Sequence, residues 1–148
     1  MTPTLPGRWQ TRVALLWTIG LALTALYTWL FGLLDVGWRS PAFWSLVILL
    51  GYVTVFGLAW DILYDFLQGF RWDGDWPLSF HFACGILEGL LVFALFRLDL
   101  LPGLTFHDGD GWRFLVHYGS VFWCTYWWVY GPMRVLMPRW RFRGGELV

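Results

Sequence analysis

Residues 76–96 read WPLSFHFACGILEGLLVFALF, and the reading of this stretch decides the fold. It is 21 residues long and is interrupted only by His81 and Glu88. As a helix it rises roughly 30 Å at about 1.5 Å per residue, the thickness of the hydrocarbon core of a bilayer. Three more runs have the same character. Val13–Leu34 has 22 residues without a charge, Ser40–Trp60 has 21, and Phe114–Met133 has 20 with only His117 inside it. The whole chain of 148 residues is 58% hydrophobic and 14% charged, with a mean hydropathy of +0.56. Ordinary soluble domains carry about 25% charged residues, and a soluble domain of this size has too little interior to hide so much apolar surface.

These runs predict an all-α integral membrane protein, an antiparallel bundle of four transmembrane helices forming a single polytopic domain over 1–148. The expected helices lie near 13–34, 41–66, 76–96 and 113–133, with a tail over 134–148. Spanning β-strands would need segments of about ten alternating residues, and the runs do not alternate. The first run is too long for the apolar region of a signal peptide, and no A-x-A site closes it. Residues 1–12 read as a short polar arm, with Pro3 and Pro6 opposing helix. Pro41 and Pro77 suit first helical turns. Gly69 suits a C-cap, and Gly131-Pro132 suits a kink or an end.

All ten basic residues are arginine. With four helices, Arg8, Arg12, Arg71, Arg134, Arg139, Arg141 and Arg143 share one side of the membrane, and Arg39, Arg97 and Arg113 the other. The positive-inside rule then places both termini in the cytoplasm. Arginine without lysine suggests a GC-rich bacterial genome, hence a bacterial inner (plasma) membrane. Trp9, Trp38, Trp72, Trp76, Trp112 and Trp140 fall where an interfacial aromatic belt belongs. Cys84 and Cys124 both fall inside spans, as packing thiols rather than a disulfide staple.

Glu88 carries the strongest chemical signal. It lies 11 residues after Pro77, near mid-membrane. A carboxylate there costs a few kcal/mol even on lenient insertion scales, of order 2.5–3.5 for a charged side chain. It must therefore face the bundle interior and be paired, hydrated or protonated. His81, Gly85, Glu88 and Gly89 stand at i, i+4, i+7 and i+8, on one helical stripe. Gly85-x-x-x-Gly89 is a small-xxx-small pattern that admits a close neighbour. Asp61 and Asp65, at i and i+4 in WDILYDF, share a face on the membrane side where His81 begins its helix. Glu88, Asp61, Asp65 and His81 are thus candidates for a proton or ion relay. Asp61, Asp65 and His81 are also weak candidates for a metal site. Carboxylates at a helix C-terminus are electrostatically unfavourable, so a nearby cation is expected, either arginine (Arg12 or Arg71) or a metal. His81 and His117 sit near opposite ends of neighbouring helices, which keeps them from ligating one haem iron or one zinc.

Two similar stretches, DGDW at 73–76 and DGDGW at 108–112, each precede a histidine, and both read as membrane-entry signals on opposite faces. His107 with Asp108 and Asp110 reads as a polar turn, with a weak surface metal site as the alternative. In the tail, Arg139, Trp140, Arg141 and Arg143 interleave cations with an aromatic ring. Beside a membrane helix this predicts contact with anionic lipid headgroups rather than nucleic acid. No nucleophile elbow, P-loop, dinucleotide fingerprint or H-E-x-x-H occurs, so no enzyme class is indicated. The function expected first is an accessory or scaffold subunit, with a larger membrane complex or further copies of the chain as partner. The alternatives are a proton- or ion-linked channel or carrier using Glu88, and a binder of an apolar cofactor or lipid between tryptophan-rich helices, such as a quinone, carotenoid or porphyrin. No single cofactor is specified.

Overall fold

The computed structural model describes residues 4–34, 43–70, 72 and 77–147, and every regular element among them is helical. The chain enters helix earlier than its charge pattern suggests. Helix α1 (Leu5–Leu15) passes through a π-helical segment, Leu16–Gly20, into α2 (Leu21–Leu34). The expected polar arm is therefore the first two turns of a long helix. The cause is local: Thr4 is extended and its hydroxyl accepts from the Gly7 amide at 3.2 Å, while Pro6 sits in the first turn. There its missing N–H leaves no hydrogen bond broken. The remaining long helices are α3 (Phe43–Gln68), α4 (Leu78–Arg97) and α5 (Asp110–Tyr130). Gly69 closes α3, its amide donating to Asp65 O at 3.2 Å. Pro77 precedes α4 directly, and Gly131 ends α5. The expectations for Asp35–Pro41, Arg71 and DGDW at 73–76 fall outside the described residues.

The long helices pack in a ring, α1–α2 against α3, α3 against α4, α4 against α5, and α5 back against the π segment and α2. Neighbours run antiparallel. Arg12 meets Asp61 while Gly20 lies beside Leu50, and Thr24 meets His117 while Phe31 lies against Trp112. The core comprises Leu16, Leu46, Leu50, Val53, Val92 and Phe114, and Leu101 and Leu104 of the α4–α5 loop fold back to join it.

Among the described residues, three helices are long and apolar enough to cross a membrane: Leu5–Leu33, Phe43–Gln68 and Leu78–Arg97. Only 22%, 33% and 22% of their most apolar windows are buried inside the chain, so most of those side chains point outward. A helix apolar on its outer face has lipid as its natural surroundings. Helix α5 has comparable length, but Asp110, Arg113, His117 and several Tyr and Trp residues dilute its hydropathy.

Helix α5 presents an aromatic ladder, Phe114, Tyr118, Phe122, Tyr126 and Tyr130, each ring one turn from the next. The ladder enters the groove made by Gly85 and Gly89 of α4. A Cβ on Gly85 would lie 2.1 Å from the Phe122 ring, and one on Gly89 2.4 Å from the Tyr118 ring. The small-xxx-small pattern therefore admits rings rather than a second backbone. Tyr118 completes the contact by donating to Gly85 O at 2.6 Å.

The segment after α5 does not leave the bundle as an open tail. Short helices α6 (Pro132–Leu136) and α7 (Pro138–Phe142) turn it back onto α1. Trp140 Nε1 donates to Thr11 Oγ1 at 2.7 Å, Thr11 Oγ1 donates to Gly145 O at 2.9 Å, and the Thr4 amide donates to Gly144 O at 2.8 Å. Trp140 is 3% exposed and packs with Leu15 and Met133. This corrects its expected place among lipid-facing residues: its indole N–H has a buried acceptor on α1, which an outward rotamer would lose. Arg139 and Arg143 remain exposed, and the Arg141 side chain lies outside the described residues.

Candidate functional site: a charged cavity between the helices

The site is centred on Arg12, seven residues into α1, about 10 Å from its start. Its guanidinium bridges two carboxylates on two other helices. Nε and Nη2 donate to the two oxygens of Asp61 on α3, both at 2.8 Å. Nη1 and Nη2 donate to the two oxygens of Glu88 on α4, at 2.8 and 3.2 Å. Asp61 is 3% exposed and Glu88 5%, so both charges are shielded from bulk solvent. A planar fork with several fixed donors suits this task where a lysine ammonium would not. Room for the guanidinium comes from Gly57, one turn before Asp61. A Cβ there would lie 2.3 Å from Arg12 Nη1.

Around this cluster lies a cavity of about 460 Å³. Its polar wall includes Arg8, Arg12, Asp61, His81, Glu88 and Arg134, and its apolar wall includes Leu16, Val53, Phe122 and Val129. Arg8 donates to Gln68 Oε1 and is attracted electrostatically by Asp61 and Asp65. Tyr64 is buried and its hydroxyl donates to Cys84 O at 3.5 Å. The returning C-terminal segment closes part of the space, since Arg134, Trp140 and Gly145 all line it.

Of the four residues proposed as a relay, three border this cavity. Asp61 and Glu88 are joined through Arg12, and His81 lines the wall with its ring edge-on to Tyr126 and Tyr130 at centroid distances of 5.7 and 5.5 Å. Asp65 is half-buried, one turn nearer the helix end, and does not line the cavity. The metal alternative for Asp61, Asp65 and His81 is corrected. Among the described residues no three His, Cys, Asp or Glu side chains gather for an ion. The cation that satisfies Asp61 is Arg12, which engages both of its oxygens. Cys84 and Cys124 are free thiols.

In the sequence Arg12 is one possible partner for the aspartates, just outside the first charge-free run, and no local pattern links it to Glu88. Thr4 and Pro6 held the missing signal: a cap and a first-turn proline put Arg12 two turns inside a helix. Gly57, Tyr64 and Arg134 were not singled out. Gly57 had one usable cue, its place one turn before Asp61.

A second polar contact lies in the other half of the bundle. Thr24 is fully buried, donates to Gly20 O at 2.8 Å and accepts from His117 Nε2 at 2.9 Å. With the threonine proton committed to Gly20, the imidazole must carry its proton on Nε2. His117 is thus bound to α2 at a different depth from His81, and the two do not share a site. On the connecting loop, Asp110 accepts from the His107 amide at 3.0 Å and lies 3.4 Å from Arg113. This is a polar turn entering α5. Compared with protein-family models, with curated proteins and with solved structures, the chain matches none.

Proposed function

We propose that this chain is a membrane-embedded binding protein that takes an amphipathic molecule into the cavity between its helices, with α5 as a fourth span. The single observation that carries this reading is the cavity. It is large enough for a headgroup or a small ring system, and it joins fixed charges to aromatic and aliphatic walls, the composition of small-molecule sites. The termini of the described chain meet at the end of the bundle nearest the site. By the arginine distribution that end belongs in the cytoplasm of a bacterium.

The competing readings have less behind them. A proton or ion relay through Glu88 requires a carboxylate that can exchange protons, whereas Arg12 engages both Glu88 oxygens. Glu88 thereby acts as a fixed countercharge. Service as an accessory subunit rests on the outward apolar face, and lipid covers such a face equally well.

The test is retention. The full chain purified in mild detergent should carry a bound amphiphile detectable by native mass spectrometry and solvent extraction. Thr125 lines the cavity and, among the described residues, bonds only to carbonyls of its own helix. Thr125→Trp should obstruct the space and sharply reduce retention while leaving helicity unchanged. A folded Thr125→Trp protein that retains the same ligand in the same amount would refute the reading.

A further inference from the structure

The cavity wall holds three guanidinium groups, Arg8, Arg12 and Arg134, against two carboxylates, Asp61 and Glu88. Arg12 is saturated by the two carboxylates. Arg8 is held by Gln68 and lies in the field of Asp61 and Asp65. Arg134 stands apart. It arrives from α6, and its guanidinium lies over the Tyr130 ring at 4.7 Å. Its Nε is buried with no hydrogen-bond partner, and it has no ion pair among the described residues. A buried guanidinium N–H with no acceptor is costly unless one reaches it. The His81 ring borders the same space, edge-on to the same Tyr130. Beside them run Phe122 and Val129, which offer an apolar track.

We infer that the cavity receives the anionic headgroup of a membrane amphiphile, with one negative charge seated against Arg134 beside Tyr130 and the apolar chain along Phe122 and Val129. The inference rests on the ligand-binding reading above and adds the charge of the ligand and its anchor. A phospholipid phosphodiester and a fatty-acid carboxylate share this chemistry.

The test uses the full chain in vesicles of equal phosphatidylcholine and phosphatidylglycerol, followed by native mass spectrometry of the lipid retained. Parallel arms add oleate or inorganic phosphate. Phosphatidylglycerol should be retained over phosphatidylcholine, and Arg134→Gln should reduce that preference about tenfold, the effect of one charge-assisted hydrogen bond. Arg134→Lys should keep most of it. Displacement by oleate would identify the carboxylate as the preferred source, within the same inference. Binding of inorganic phosphate with no amphiphile retained would overturn it. So would equal retention of the two lipids, or a preference unchanged in a folded Arg134→Gln protein. Thr125→Trp separates the two levels. If it empties the cavity while Arg134→Gln leaves the charge preference intact, the binding reading stands and the anchor falls. If it leaves retention unchanged, both fall.

Discussion

Replacing Arg12 by methionine isolates what the guanidinium does. The side chain makes four hydrogen bonds of 2.8–3.2 Å to two carboxylates that are 3% and 5% exposed. Arg12→Met leaves Asp61 and Glu88 buried and uncompensated on facing helices. Removing one partner of a buried ion pair typically costs about 3–5 kcal/mol. For a chain of this length, each kcal/mol shifts the unfolding midpoint by about 2–4 °C, so the expected loss is about 6–20 °C. Tryptophan fluorescence during heating in detergent measures it, at one fixed scan rate because such unfolding is rarely reversible. The decisive comparison is the triple variant Arg12→Met, Asp61→Leu, Glu88→Met. A buried charge cluster replaced by apolar side chains of similar volume is often neutral, so the triple variant should recover most of the lost midpoint. If it melts as low as Arg12→Met alone, charge compensation is not what Arg12 supplies, and the reasoning fails. Arg12→Lys should fall between, because one ammonium cannot reproduce the fork on both carboxylates.

Other expectations follow from close contacts. Gly85→Ala drives a methyl into the Phe122 ring and should cost about 1–3 kcal/mol as overpacking. Gly119→Ala, with nothing within 4 Å, should stabilise α5 by up to about 1 kcal/mol through helix propensity. Equal midpoints for the two would discredit the groove. Thr24→Val leaves the His117 Nε2 proton without its acceptor and should cost about 1–3 kcal/mol, whereas Thr24→Ser should stay close to wild type in the same melting assay. In Gly7→Ala the new methyl would lie 2.3 Å from Gly144 O. Trypsin should then cut at Arg139 or Arg143 faster than in the parent chain, while the midpoint of the four long helices changes little. An unchanged cleavage rate would show that the C-terminal segment is not held by this contact.

The sequence alone determined the local and one-dimensional features of this protein. Uncharged runs of about 20 residues specify long apolar helices because the hydrogen bonds of a helix close within the segment. The stripe His81, Gly85, Glu88 specified the inward face of α4, since a carboxylate cannot be left on a lipid-facing side. Gly69 and Gly131 marked two helix ends. Even the early start of α1 is written in Thr4 and Pro6, since a proline that opposes a helix interior suits a first helical turn.

Only the tertiary structure decided which charges meet. Arg12, Asp61 and Glu88 are separated by 49 and 27 positions and lie on three helices, and no local rule couples them. Their meeting depends on the depth at which each helix sits and on the space left by Gly57. The same holds for Trp140. An Arg-Trp-Arg-Phe-Arg tail is amphipathic wherever it lies, and its burial follows from one hydroxyl, Thr11, placed within 2.7 Å by the fold. The energy of a buried charge forces it to find a partner, but that requirement is blind to position along the chain, and geometry selects the partner.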